Sequence, residues 1–137
     1  MRIMAVDYGD AHTGIAVSDP TGFITGYTGV IDMHDPVRCA DLVAEAAKEH
    51  AAERIVVGRP LNMNGTSGDR VEKAESFAEL LRQRVEVDVV LWDERLTSVD
   101  ANRILSDAGK KKKRQKRLVD AVAASLILQS YLDYLRR

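Results

Sequence analysis

Residues 2–14 read Arg2-Ile3-Met4-Ala5-Val6-Asp7-Tyr8-Gly9-Asp10-Ala11-His12-Thr13-Gly14. The apolar run up to Val6 reads as a buried strand, and it ends in a carboxylate. A charge at the end of a buried strand is costly to desolvate unless something positive meets it. Gly9 and Gly14 let the backbone turn and approach another group closely. An aspartate beside a tight glycine turn is one way proteins hold metal-bound phosphate, so the stretch points to phosphate chemistry of some kind.

Working outward, Thr13–Ser18 reads as a second strand, closed by the turn Asp19-Pro20-Thr21-Gly22. Phe23–Ile31 reads as a third strand, antiparallel to the second. Pro36 suits the first turn of a helix reaching about Ala51, with Val43, Ala46, Ala47 and His50 on one face. Ile55-Val56-Val57 is a short, wholly apolar strand of the parallel, doubly covered type. Residues 58–68 form a polar loop in which Thr66 or Ser67 can cap the next helix. That helix carries the stripe Val71, Ala74, Phe77, Ala78 and Leu81. Val87–Trp92 is a fifth strand. Thr97 with Asp100 resembles a capping box opening a helix to about Asp107, stopped at Ala108-Gly109. Leu118–Leu135 is a long final helix. The order predicts one α/β domain over residues 1–137. Its mixed five-stranded sheet has a three-stranded antiparallel side and two parallel strands, flanked by helices on both faces.

The 137 residues are 45 % apolar, enough for a core, and contain no run long enough to span a membrane. An aspartate at position 7 comes too soon for a signal-peptide core, and Cys39 is the only cysteine. A reducing, cytoplasmic setting is therefore expected. The net charge of −1 conceals an asymmetry. Lys110-Lys111-Lys112-Lys113-Arg114-Gln115-Lys116-Arg117 carries seven positive charges, which leaves the remainder strongly acidic. One basic arm on an acidic body suggests a polyanionic partner met at one place. It reads as a flexible backbone clamp leading into the last helix.

Three parallel strands are expected to end in polar motifs, at Asp7, at Gly58-Arg59-Pro60-Leu61-Asn62 and at Asp93-Glu94-Arg95. In open α/β sheets the ligand site lies beyond such carboxyl ends. The final helix adds Asp120, on one face with Ala123, Ala124, Ile127 and Tyr131. Asp7, Glu94 and Asp120 are thus the candidate catalytic acids and ligands for Mg²⁺ or Mn²⁺. Two such ions can activate water and stabilise the leaving oxygen of a phosphodiester, with Asp7 bridging them. Asp93 is an alternative to Glu94, since adjacent strand residues point opposite ways. Arg59 is a candidate backbone-phosphate contact, and Arg95 is a candidate phosphate contact or the internal partner of Asp7 or Asp93. Asn62 and Asn64 can meet a sugar or base edge or serve the turn. Lys110, Lys111, Lys112, Lys113 and Arg114 are expected to draw phosphates toward Asp120. Aromatic residues are only 5 % of the chain, so base stacking is not expected to be the main recognition device.

Val6-Asp7-Tyr8-Gly9 with Thr13-Gly14-Ile15-Ala16-Val17-Ser18-Asp19 resembles the opening motif of the bacterial pre-16S ribosomal RNA nuclease family, also described as Holliday-junction-resolvase-like. Val57–Gly65, Trp92–Ser98 and Asp120–Leu132 resemble its other three motifs, in order. The resemblance implies a ribonuclease-H-like fold and divalent-metal nuclease chemistry, with acids at Asp7, Glu94 and Asp120. The implied substrate is structured RNA, at the 5′ end of pre-16S rRNA, or branched DNA. The protein is expected as a monomer or weak homodimer, with no membrane partner. The family usually carries arginine where this chain has His12, a departure that bears on a phosphate or structural contact there; His12 is counted among the candidate nucleic-acid contacts. Two other classes compete. One is an ATP-binding module of the actin and sugar-kinase type, which Asp7-Tyr8-Gly9 also resembles. The other is a nucleic-acid binder without turnover.

Overall fold

The computed structural model describes residues 1–60, 68–93 and 112–136, and side chains from 119 onward in the last of these segments. The elements are β1 (Ile3–Asp7), β2 (His12–Ser18), β3 (Thr25–Asp32), α1 (Pro36–Glu49), β4 (Arg54–Arg59), α2 (Asp69–Arg82), β5 (Asp88–Asp93) and α3 (Lys112–Leu135). The five strands form one sheet in the order β3-β2-β1-β4-β5. β1 pairs antiparallel with β2 and β2 with β3, whereas β1–β4 and β4–β5 are parallel. This is the mixed sheet the strand order predicts.

The most apolar strands take the centre. Met4, Ala5 and Val6 of β1, and Ile55, Val56 and Val57 of β4, have no accessible surface. Side chains of a strand alternate between faces, so the central strands feed two cores. Met4, Val6, Ile55 and Val57 pack with Cys39, Ala40, Val43 and Ala47 of α1 and with Ala74, Phe77, Ala78 and Leu81 of α2. Ile3, Ala5, Ala16 and Val56 pack instead with Ala124, Ile127, Leu128, Tyr131 and Leu132 of α3. Helices therefore cover both faces of the sheet.

Several boundaries differ from the sequence expectation. α3 begins at Lys112, not Leu118, so the basic run from Lys112 to Arg117 is helical and not a flexible arm. Lysine, arginine and glutamine are good helix formers, and like-charge repulsion costs only a few tenths of a kcal/mol per pair. Packing of the later turns then carries the first turns along. β3 begins at Thr25, because Phe23 and Ile24 belong to the preceding turn. Their amides donate to Oδ1 of Asp19 at 3.1 and 3.4 Å. The N-cap of α2 is Gly68, with no side-chain cap, so neither Thr66 nor Ser67 fills that place. α1 is capped by Asp35, which accepts from the Val37 amide at 3.2 Å. The expected helix over Thr97–Asp107 and its stop at Ala108-Gly109 lie outside the described residues.

Two glycines set how closely the chain packs at the carboxyl end of β1. A Cβ on Gly9 would meet the carbonyl of His12, so only glycine allows this β1–β2 connection. A Cβ on Gly14 would run into the carbonyl oxygen of Asp120, so the backbone of α3 lies directly on β2 there. Both obstacles are backbone atoms, which cannot swing aside. Gly14→Ala is therefore expected to cost about 1–3 kcal/mol, the range for overpacking a close contact. Urea unfolding of the two proteins measures it. The buried thiol of Cys39 is pushed up by desolvation and partly offset by its hydrogen bond to Thr13. It should resist iodoacetamide in the folded protein and react only on unfolding, as mass spectrometry will show.

Candidate active site

The carboxylate pair is built by sheet register. Asp7 is the Cα partner of Gly14, and cross-strand partners project to the same face. Ile3 and Ala5 lie on the α3 side, so strand alternation places Asp7 there too. Gly14 follows Ala16 onto that face, and against Gly14 sits the backbone of Asp120. Asp7 and Asp120 thus reach one face of the sheet at the carboxyl end of the central strand. Both are partly buried, and Oδ2 of Asp120 is sealed from solvent. A buried carboxylate oxygen is expensive without cationic or donor neighbours. Oxygen donors of this kind suit a hard divalent cation. Among the described residues no group of three or more acids, histidines or cysteines could hold a metal. Glu94, the third expected acid, follows directly on the last residue of β5 and lies outside the described residues, as do Arg95, Asn62, Asn64, Lys110 and Lys111.

The other candidates divide between the two faces. Continuing the β1–β4 register by one residue sets Asp7 beside Gly58, whose partner on β5 is Trp92. Gly14, Asp7, Gly58 and Trp92 therefore form one row across the sheet, with no side chain on either neighbour of Asp7. Arg59 and Asp93 are partners one residue further and project to the opposite face. The guanidinium of Arg59 lies 3.4 Å from Glu75 of α2. Asp93 thus projects away from the Asp7 face, while Glu94, the other candidate, lies outside the described residues.

His12 opens β2 on the same face as Gly14 and Asp7. Its Nδ1 lies 2.6 Å from Oδ1 of Asp32, its cross-strand partner on β3. The pair flanks the carboxylates on the β3 side. Nothing in the sequence alone announced Asp32, because the partner is fixed by register and not by spacing.

The turn that follows Asp7 is held from behind. Thr13, fully buried, accepts from the Gly9 amide at 3.3 Å and donates to the Gly9 carbonyl at 3.4 Å. It also accepts from the Cys39 thiol at 3.4 Å. Lys73 of α2 donates to both carboxylate oxygens of Asp10 at 3.0 Å. Tyr8 stacks on Phe77 with ring centroids 4.2 Å apart, and burial raises its phenol above the usual value, helped by Cys39, Asp10 and Asp35. These contacts leave Asp7 on a short, fixed lever.

Residues 1–134 match the model of the family described as RuvX: Holliday junction resolvase. The chain belongs to this family. A relative from Acetivibrio thermocellus is 43 % identical over 135 residues, spanning 97 % of this chain and 96 % of its own. One from Listeria innocua is 43 % identical over 97 % of this chain and 98 % of its own. Both are named as pre-16S rRNA nucleases. Among solved structures, Thermus thermophilus RuvC in complex with a Holliday junction has a TM-score of 0.66 at 18 % identity, covering 99 % of this chain and 95 % of that one. The Fowlpox virus resolvase, also with junction DNA, has a TM-score of 0.66 at 12 % identity over the full length of both. The fold is therefore that of the ribonuclease-H-like resolvases, and family membership makes the chain a phosphodiester-hydrolysing nuclease.

Proposed function

We propose that this chain is a divalent-metal-dependent endonuclease that trims the 5′ end of pre-16S rRNA. The observation that carries the reading is the pairing of Asp7 and Asp120 on one face, imposed by the seat of α3 on Gly14. The names of relatives above 40 % identity supply the substrate.

Asp7, Asp120 and Glu94 would hold the cation, Mg²⁺ or Mn²⁺, from three separate elements. Their hard oxygen donors and the buried Oδ2 of Asp120 fit it. When bound, the metal would lower the pKa of a water and neutralise charge on the phosphate that is attacked. The chain itself orients the acids. β1 fixes Asp7, the Gly14 contact fixes Asp120, and the Thr13 clamp stops the intervening turn from drifting. His12 and Arg95 would meet backbone phosphates, with Asn62 and Asn64 for a sugar or base edge. Lys110–Arg114 supplies a positive approach that ends one to two helical turns before Asp120. Family membership disfavours an ATP-binding module.

A cleavage panel tests this directly. It includes pre-16S rRNA fragments, single-stranded RNA and DNA, and four-way DNA junctions. The rRNA fragment is expected to be cut at its 5′ side, and only with Mg²⁺ or Mn²⁺. Asp7→Asn and Asp120→Asn are each expected to lower cutting by more than the roughly 100-fold that loss of an outer-shell partner costs a metal site, while binding persists. Preferential cutting of the four-way junction would transfer the assignment to DNA. Replacing Lys110–Lys113 with glutamine should weaken RNA binding. It should also flatten log Kd against log salt by roughly 0.7–0.9 for each lysine that contacts phosphate. An unchanged slope would remove the basic segment from the interface.

A further inference from the structure

Asp32 closes β3 and takes no part in the carboxylate chemistry, yet its Oδ1 lies 2.6 Å from Nδ1 of His12. The two are Cα partners across β2 and β3. Just beyond them the Met33 amide donates to the Ala11 carbonyl at 3.0 Å and closes the ladder. On the β1 side the carbonyl of His12 sits against Gly9, where a Cβ would not fit. The backbone of His12 is thus gripped from both sides. Its place relative to Asp7 follows from register. Asp7 is opposite Gly14 and β2 runs antiparallel to β1, so two residues back along β2 bring His12 past the end of β1 on the same face. Diagonal neighbours of this kind lie about 7–8 Å apart.

Among the described residues near this end, Arg59 and Lys73 serve the other face, where they meet Glu75 and Asp10. Arg54 lies at the opposite end of β4 and donates to Tyr131 of the aromatic cluster Trp92, Tyr131 and Tyr134. His12 stands on the Asp7 face, and its side chain is 30 % exposed, so an approaching strand can reach the ring. An ionised carboxylate only accepts, so Nδ1 gives its hydrogen to Asp32. The two nitrogens of an imidazole point roughly opposite ways. Fixing Nδ1 on the β3 side therefore turns Nε2 away from β3, back across β2 toward Asp7. Without Asp32 the ring is free to turn about its last side-chain bond, whose preferences are broad. A phosphate met at Nε2 needs a hydrogen there too, so the bound form of the ring carries both.

We propose that Asp32 is a positioning residue for cleavage: it holds His12 by Nδ1 so that Nε2 donates to a phosphate oxygen of the strand lying across Asp7 and Asp120. The inference rests on the nuclease reading for its substrate and extends that site to a residue outside the carboxylates. His12 supplies one charge-assisted bond, and Asp32 supplies its direction. A cross-strand surface pair that served only β2–β3 pairing would matter to stability and not to the RNA.

Two measurements on the full-length protein test this. The first is a double-mutant cycle on cleavage of a pre-16S rRNA fragment in Mg²⁺. Asp32→Asn keeps the size of the side chain and removes its charge. It should lower kcat/KM about tenfold, the lower end for losing a hydrogen bond to a charged group, and His12→Ala should cost at least as much. In the His12→Ala background, Asp32→Asn should cost nothing further, because Asp32 acts only through the ring. The second is nitrogen-15 NMR in EDTA, which follows the rings without turnover as a short RNA is added. The chain has three histidines, and the His12 signals are those lost in His12→Ala. RNA should bring His12 to the form with a hydrogen on both nitrogens. It should leave His50, stacked on Tyr27 at the far end of α1, unchanged. Asp32→Asn should abolish the change at His12. Additive losses in the double variant, a rate that Asp32→Asn does not alter, or a His12 signal indifferent to RNA would each overturn the proposal. If no RNA fragment is cut, the nuclease reading fails by itself, and the NMR titration still decides whether Asp32 aims His12 at phosphate.

Discussion

The backbone of α3 rests on Gly14 with no side chain between them, and the site depends on that contact. Register makes Gly14 the neighbour of Asp7, so the residue of α3 seated there is set beside the end of the central strand. That residue is Asp120. Any side chain at position 14 would lift the helix by the thickness of a methyl group or more. The two carboxylates would then separate by an amount that matters for a shared cation. One turn on, the small side chain of Ala124 is buried with Ala5 and Ala16 in the core on this face.

The two faces of the sheet have different tasks. The α1 and α2 face is an apolar block fixed by Phe77, Val43 and Leu81, which have no more than 1 % of their surface exposed. It carries the contacts that brace the turn after Asp7: Thr13 with Cys39, Asp10 with Lys73, Tyr8 on Phe77. The α3 face carries the carboxylates, the His12–Asp32 pair and the Trp92 cluster. Rigid support on one side and chemistry on the other follows from strand alternation, which sends Tyr8 to one face and Asp7 to the other.

Most of this architecture was legible in the residues. The five strands, α1, α2 and the inward face of the last helix follow from period-2 and period-3.6 patterns strong enough to survive packing. Asp7 and Asp120 stood out because a carboxylate at the end of an apolar run, or on a face of alanines, conflicts with its surroundings. What escaped was non-local. The start of α3 at Lys112 depends on packing more than a turn away, and the basic composition suggested a loop. The His12–Asp32 pair and the Trp92, Tyr131 and Tyr134 cluster join residues 20 to 42 positions apart. Arg59 was placed at the correct edge, but the face it projects to is decided by a one-residue difference in parity, and it meets Glu75.

The most direct test of the central claim asks whether a metal sits between Asp7 and Asp120. Fe²⁺ substituted for the native divalent ion, with ascorbate and peroxide, cuts the polypeptide backbone close to where the metal binds. Mass spectrometry of the fragments should find cuts in two segments, one around residues 5–9 and one around 118–122, both suppressed by excess Mg²⁺ and both lost in Asp7→Asn. Cuts confined to one of the two segments, or unaffected by Mg²⁺, would contradict the account.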